Sequence, residues 1–211
     1  MATPARPLPH DEVVVPLRAA SPAAVPPVTH VRSTLLAASI LSVRSRGHLD
    51  AYLQHLAPAL HETVLQSVAG SWVPLDVAVA HYRAADRLGL RSEEQYELGR
   101  GVAERVQNSV LGTLGRVARG AGVTPWIALE YFQRLWDRVL LGGSVAVYRL
   151  GPKEARAEGY GIPTLAEVPY FRNSFRGMFA GSGLLFCNKM YIADLAPFVA
   201  RRVIGFRVAW V

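Results

Sequence analysis

The sequence predicts an α+β fold, an N-terminal helical bundle followed by a β-β-α-β-β antiparallel sheet unit. Three observations carry that prediction. Apolar residues recur at three-to-four spacing as far as Val139, the mark of helices with one buried face. From Val145 the spacing drops to two, the mark of half-buried strands. A helical stripe at Phe171, Phe175 and Met178 then separates one pair of alternating segments from a second.

The elements follow in order. Residues 1–29 hold seven of the fourteen prolines (Pro4, Pro7, Pro9, Pro16, Pro22, Pro26 and Pro27) with no helical or strand period. They read as a disordered Pro/Ala-rich arm, leaving 30–211 as a single α+β domain. Val31 to Ser45 suits a short strand running into a turn of helix. Leu49, Leu53, Leu56, Leu60 and Val64 give a helix that Pro58 kinks or splits. Leu75, Ala78, Val79, Tyr82, Ala85 and Leu88 form the next stripe, opened by Pro74 and stopped by Gly89.

Ser92 with Gln95 three residues on reads as a capping box, and Glu93 and Glu94 complement the positive helix start. The buried face of that helix is Val102, Val106, Val110, Leu114 and Val117. Thr124 and Pro125 open the last bundle helix, with Ala128, Phe132, Leu135, Trp136 and Val139 inward, and Gly142 and Gly143 end it. The first strand then runs to Leu150 and turns at Gly151-Pro152. Its return partner carries Glu154, Arg156 and Glu158 on one face, and that alternating charge predicts a solvated face. After the Phe171 helix, Leu184, Phe186 and Asn188 alternate with Leu185, Cys187 and Lys189 as a third strand. Ile204, Phe206, Val208 and Trp210 close the chain as a strand inside the sheet.

A single cysteine, Cys187, excludes an internal disulfide framework and fits a reducing compartment, so the expected address is the cytoplasm. The prolines leave no unbroken apolar segment for a secretory signal, and no apolar run is long enough to span a bilayer. The formal charge is +7, but 21 of the 23 basic residues are arginine, a bias that a GC-rich genome writes without any binding demand. One asymmetry stands out. From Val168 onward six basic residues, Arg172, Arg176, Lys189, Arg201, Arg202 and Arg207, face one acid, Asp194. They are the basic-patch candidates for an anionic partner such as nucleic acid.

Catalytic and metal-binding patterns are missing. All six histidines precede residue 82, none has the i, i+4 spacing of a zinc helix, and Cys187 has no local histidine partner. The glycine segments at 142–144 and 181–183 end helices and cradle no phosphate. Ala84 to Leu90 followed by Ser92-Glu93-Glu94 would place acids where a helix-turn-helix needs donors to DNA. The more informative glycines are Gly99, Gly101, Gly112 and Gly115. Each costs up to about 1 kcal/mol inside a helix, so several together imply close helix packing or a groove with bare backbone. With Trp126 and Trp136, and with Tyr148 as a polar handle, they are the ligand-groove candidates.

Some residues also carry a resemblance. Trp72-Val73-Pro74-Leu75, the glycine-spaced helix, Leu135-Trp136, Val145 to Tyr148, Gly151-Pro152 and Pro169-Tyr170-Phe171-Arg172 with Gly177 resemble a family of uncharacterised proteins. That family has many paralogues in myxobacteria and related deltaproteobacteria. More remotely, helices followed by strand–strand–helix–strand–strand resemble 4-vinyl-reductase-type and haem-nitric-oxide-sensor domains. Those are ligand-sensing modules that often dimerise through helices. The Tyr-x-Ser-x-Arg motif of the haem sensors is absent, since Tyr148 is followed by Arg149, Leu150, Gly151 and Pro152. The cysteine cluster of many vinyl-reductase-type domains is absent as well. The resemblance therefore implies the fold without the known ligands. The expected function is a non-enzymatic, cytoplasmic, regulatory ligand-binding, sensor or adaptor module. It would be a homodimer holding a small apolar ligand or a protein partner, with no cofactor, no metal and no membrane contact. The alternative is a nucleic-acid-associated regulator using the basic C-terminal segment.

Overall fold

The computed structural model describes residues 11–68, 70–106 and 124–211. The chain is α+β, with both sheets antiparallel. The first strand, β1, is Glu12–Val15; β2 (His30–Arg32) leads directly into α1 (Ser33–Ser45). The helix expected to break at Pro58 does so. It divides into α2 (Leu49–His55), a single 3-10 turn at Pro58–Leu60, and α3 (His61–Leu65), because proline lacks the donor a continuing helix needs. Strand β3 (Trp72–Pro74) precedes α4 (Leu75–Asp86), so Pro74 sits one residue before the helix.

α5 (Ser92–Val106) starts one residue differently from the predicted capping box. Glu94, not Gln95, reaches back, accepting from the Arg91 amide at 2.9 Å, while Gln95 Nε2 donates to the Leu90 carbonyl at 2.9 Å. The predicted stripe positions Val110, Leu114 and Val117 lie outside the described residues, as do Gly112 and Gly115. α6 (Pro125–Glu130) and α7 (Phe132–Val139) divide at Tyr131. Then follow β4 (Leu140–Leu141), β5 (Ser144–Gly151), β6 (Glu154–Tyr160), α8 (Pro163–Ala166), α9 (Pro169–Gly183), β7 (Met190–Asp194), α10 (Ala196–Ala200) and β8 (Ile204–Trp210).

The main sheet has the order β1-β5-β6-β8-β7 and the minor one β3-β2-β4. Two expectations change here. Of the stretch read as an arm, Glu12–Val15 is an edge strand paired with β5, and Val25 and Val28 are buried against the body. Prolines there interrupt periodicity, yet single valines still find apolar cover. The third strand is also later than expected. Residues 184–188 form turns that continue α9, with the amides of Leu184, Leu185 and Phe186 bonded to Ala180, Ser182 and Gly183. Pairing with the chain end begins at Asn188, whose amide donates to the Val211 carbonyl, and Lys189 then exchanges backbone bonds with Val211.

Helix α9 occupies the middle of the molecule. On one side it crosses α5 so closely that a Cβ on Gly99 would run into the Ser174 carbonyl, and one on Gly177 into the Tyr96 carbonyl. Glycine is what permits that approach. On the other side, Phe175 stacks on Phe206 of β8 at 6.2 Å and meets Trp136 edge-on at 6.3 Å. Trp136 is 2% exposed, lies over Gly159, and donates its indole N–H to the Gly142 carbonyl at 2.9 Å. A helix buried on two sides keeps its charged residues to what remains, and on α9 these are Arg172 and Arg176, both paired with Asp194.

Candidate functional site

The proposed groove residues do not converge among the described residues. Gly99 is filled by the carbonyl of Ser174, and Gly101 faces Ser42 Oγ and its own Arg105. Trp136 lies beyond α9 from Gly99, under the sheet. Trp126 sits at the β5–β6 turn, edge-on to Trp210 at 5.0 Å, donating to the Pro152 carbonyl at 2.8 Å beneath the Arg149 guanidinium. Tyr148 is on the opposite sheet face, with Arg156 4.3 Å above its ring. The space between α7, α9 and the sheet, lined by Phe132, Trp136, Gly159, Phe175 and Phe206, is packed shut and has no room even for a water molecule. Pockets for drug-sized ligands run to roughly 300–1,000 Å³.

Two polar clusters replace the expected groove. The first lies within the helices. His81 is fully buried; its Nδ1 is 2.7 Å from the Tyr52 hydroxyl and its Nε2 3.0 Å from Ser39 Oγ. Ser39 Oγ is in turn 3.4 Å from the Tyr170 hydroxyl. Burial holds the imidazole neutral, with its pKa pushed down to about 3, and burial likewise raises the phenols of Tyr52, Tyr82 and Tyr170. Every member has a partner, so the cluster fixes how α1, α2, α4 and α9 meet. The sequence carried one signal for it: His81 falls between Ala78, Tyr82 and Ala85 on the apolar stripe.

The second cluster lies on the sheet face read as solvated. Glu158 is 4% exposed there. Its carboxylate accepts the Tyr160 hydroxyl at 2.6 Å and lies 2.8 Å from Arg156, which also reaches Asp11 at 2.7 Å. Tyr148, Tyr160 and the chain at Asp11 close over these groups, which is why alternating charge did not mean solvation. Burial is the main cause that raises the Glu158 carboxyl, opposed by Tyr160 and Arg156. Nothing in the spacing of Arg156, Glu158 and Tyr160 marked them, because covering residues come from elsewhere in the chain.

The basic candidates are largely engaged. Arg172 and Arg176 both hold Asp194, at 3.4 and 2.9 Å; Arg202 pairs with Glu167 at 2.8 Å, and Arg207 pairs with Glu154. Lys189 and Arg201 are exposed. Among the described residues there is no group of three or more His, Cys, Asp or Glu placed to hold a metal ion, and no helix long and apolar enough to cross a membrane.

Neither the protein-family models nor the curated proteins offer a match to this sequence. Solved structures do match in fold. One is a haem protein concerned with how protein-induced porphyrin distortion modulates haem redox potential; it is 12% identical, with a TM-score of 0.54 over 85% of this chain and 99% of that one. Another is the Fe(II) unliganded H-NOX protein from K. algicida, 9% identical, with a TM-score of 0.57 over 85% of this chain and 96% of that one. The fold is thus that of the haem-nitric-oxide-sensor domains that the order of elements resembled.

That fold implies haem, whose iron proteins hold through His, Cys, Met or Tyr. The buried candidates here are already committed. Both nitrogens of His81 are hydrogen-bonded, leaving no free lone pair for iron. The buried tyrosines are held as phenols, whereas iron takes the phenolate. Cys187 donates toward the Gly183 and Lys189 carbonyls, Met178 packs against the core, and Met190 packs on Gly183. Residues 107–123 contain none of the four residue types. The buried side chains described do not fit a haem.

Proposed function

We propose that this chain is a non-enzymatic regulatory module of the sensor fold that works as an adaptor, signalling through a protein partner. The observation that carries this reading is the fold match over 85% of the chain, combined with an interior that, among the described residues, offers iron no free buried histidine and is packed shut between α7, α9 and the sheet. The closely crossed α5 and α9 support it further, since a rigid helix pair passes on a change in packing better than a loose one. A homodimer in the cytoplasm remains the working assembly. No acid–base pair stands in an open pocket among the described residues, which favours binding over catalysis.

Native mass spectrometry of gently purified protein tests the reading. A dimer with no adduct supports it. A retained small molecule would replace the adaptor with a ligand-binding sensor, and co-purified nucleic acid would restore the basic segment as an interface.

A further inference from the structure

Strand β1 is held to the molecule by few groups. It is a four-residue edge strand, paired with β5 alone, and its register shifts between Val13 and Val15. Val13 is half exposed, and the Glu12–Arg149 pair, at 3.4 Å, stands in water and holds weakly. Three side chains do the anchoring, the buried Val15 and half-buried Val14 at one end and the Asp11 carboxylate just before the other. Asp11 reaches the guanidinium of Arg156, which Glu158 also occupies.

One largely buried guanidinium therefore faces two carboxylates, and it leaves the Asp11 carboxylate incompletely satisfied. Asp11 Oδ2 and Arg156 Nε are both buried without an aligned hydrogen bond, although the ion-pair distances are 2.7 and 2.8 Å. A buried charge stripped of its last partner is costly. Arg156 is protected from that cost, because the loss of Asp11 still leaves it Glu158 and the ring of Tyr148. The cluster would pass from one net negative charge to none. We propose that Asp11–Val15 is a detachable strap, docked or released by competition between Asp11 and Glu158 for the guanidinium of Arg156.

The competition gives the strap a direction with pH. The groups facing Glu158 are Arg156 and Tyr160 on its own strand, Tyr148 on β5 and Asp11 ahead of β1. Its register partners, Ala146 on β5 and Gly205 on β8, are uncharged. Protonating Glu158 leaves Asp11 as the sole anionic partner of Arg156 and docks the strap. Deprotonating it makes Asp11 dispensable and loosens the strap. Asp11 is among the causes that raise the Glu158 carboxyl, so by linkage a proton on Glu158 favours docking. Release bares the outer edge of β5 from Val147 to Arg149, a row of unpaired backbone groups.

Hydrogen–deuterium exchange on the intact chain tests this, as protection factors corrected for the intrinsic pH dependence. The chain, Asp11→Asn and Glu158→Gln are compared at about pH 8 and pH 5, with the β6–β8 ladder as internal control. In the unmodified chain the β1–β5 amides should be at least about tenfold less protected than the ladder at the higher pH, and gain protection at the lower, roughly tenfold for each pKa unit of coupling. Glu158→Gln should keep β1 protected at both pH values, and Asp11→Asn should leave it unprotected at both. Exchange of β1 in step with the ladder at both pH values overturns the strap. So does a Glu158→Gln variant that loosens β1 while the ladder holds. If Glu158→Gln weakens the ladder itself, Asp11→Asn decides, since a pH response that survives in that variant overturns the proposal.

Discussion

The Tyr52 hydroxyl lies 2.7 Å from His81 Nδ1, joining α2 to α4 through two side chains with no exposed surface. A neutral imidazole can accept at one nitrogen and donate at the other, and Tyr52 and Ser39 use both. The pair therefore does more than fill space. Burial away from any counter-charge then keeps the histidine neutral while the four helices are closed.

That neutrality sets a pH dependence. The folded pKa of His81 is pushed down to about 3 by burial, against about 6.5 when unfolded. Below about pH 6.5 the unfolded chain binds the proton and the folded chain does not. The stabilisation is therefore complete above that pH and is lost as pH falls toward 3, by up to about 1.4 kcal/mol per pH unit. Urea midpoints at descending pH should fall accordingly. His81→Gln should flatten the slope while lowering stability at neutral pH. An unchanged slope in that variant would assign the acid sensitivity to other groups.

Tyr52→Phe separates the hydrogen bond from the ring. The ring still fills its place, but a histidine nitrogen is left buried without a partner. The expected loss is about 1–3 kcal/mol, the cost of an unsatisfied buried polar atom. Thermal melts beside Tyr191→Phe, which alters an exposed tyrosine, measure it. Equal melting temperatures would mean that the network is dispensable.

The glycines of the helix crossing give a contrast with a sign. Alanine normally stabilises a helix over glycine by up to about 1 kcal/mol. At Gly99 and Gly177 the new methyl would meet the backbone of the partner helix, which cannot turn aside. Each substitution to alanine should destabilise by about 1–3 kcal/mol, overpacking outweighing propensity. Gly151→Ala should be tolerated, because its Cβ would stand 3.8 Å from Glu154 Cβ, at ordinary contact distance. Denaturant unfolding of the three variants checks the order. A stabilised Gly99→Ala would reopen the groove reading of that residue.

The helices, the switch to strand period and the closing β8 were legible because their apolar residues repeat within one element. β1 was not, since four residues among prolines carry too little periodicity and gain their place only from the β5 edge they meet. Glu158 failed for a related reason. On β6 its neighbours are Ala157, Gly159 and Tyr160, and the burial comes from residues 10 to 147 positions away in the chain, Tyr148 and Asp11. Gly99 was ambiguous in the sequence, because a groove and a tight crossing demand the same residue. Only the position of Ser174 decides between them.

Trp136 is the test of the layer between α7 and the sheet. It is 2% exposed, lies edge-on to Phe132 and Phe175, and covers Gly159, where any larger residue would strike the indole. Trp136→Ala should cost about 3–5 kcal/mol and open a cavity. Trp136→Phe should recover part of that loss, but leave the Gly142 carbonyl without its indole donor. Calorimetric melting of both variants reads the difference, and a loss well under 1 kcal/mol in Trp136→Ala would show a layer able to collapse around the gap.

Haem titration bears most directly on function. The sensor fold would lead one to expect a sharp, saturable Soret band at one equivalent. His81 offers iron no free nitrogen while Tyr52 and Ser39 hold it, so added haem should give only the broad, unsaturating absorbance of non-specific adsorption. The double variant Tyr52→Phe/Ser39→Ala sharpens the argument, because it frees both nitrogens without removing the imidazole. If haem is excluded only because His81 is engaged, that variant should gain a Soret shift. If it stays dark while folded, the filled space around Trp136 and Phe175, not ligand supply, excludes the porphyrin. A stoichiometric Soret band in the unmodified chain would overturn both accounts and return the protein to the haem sensors whose fold it shares.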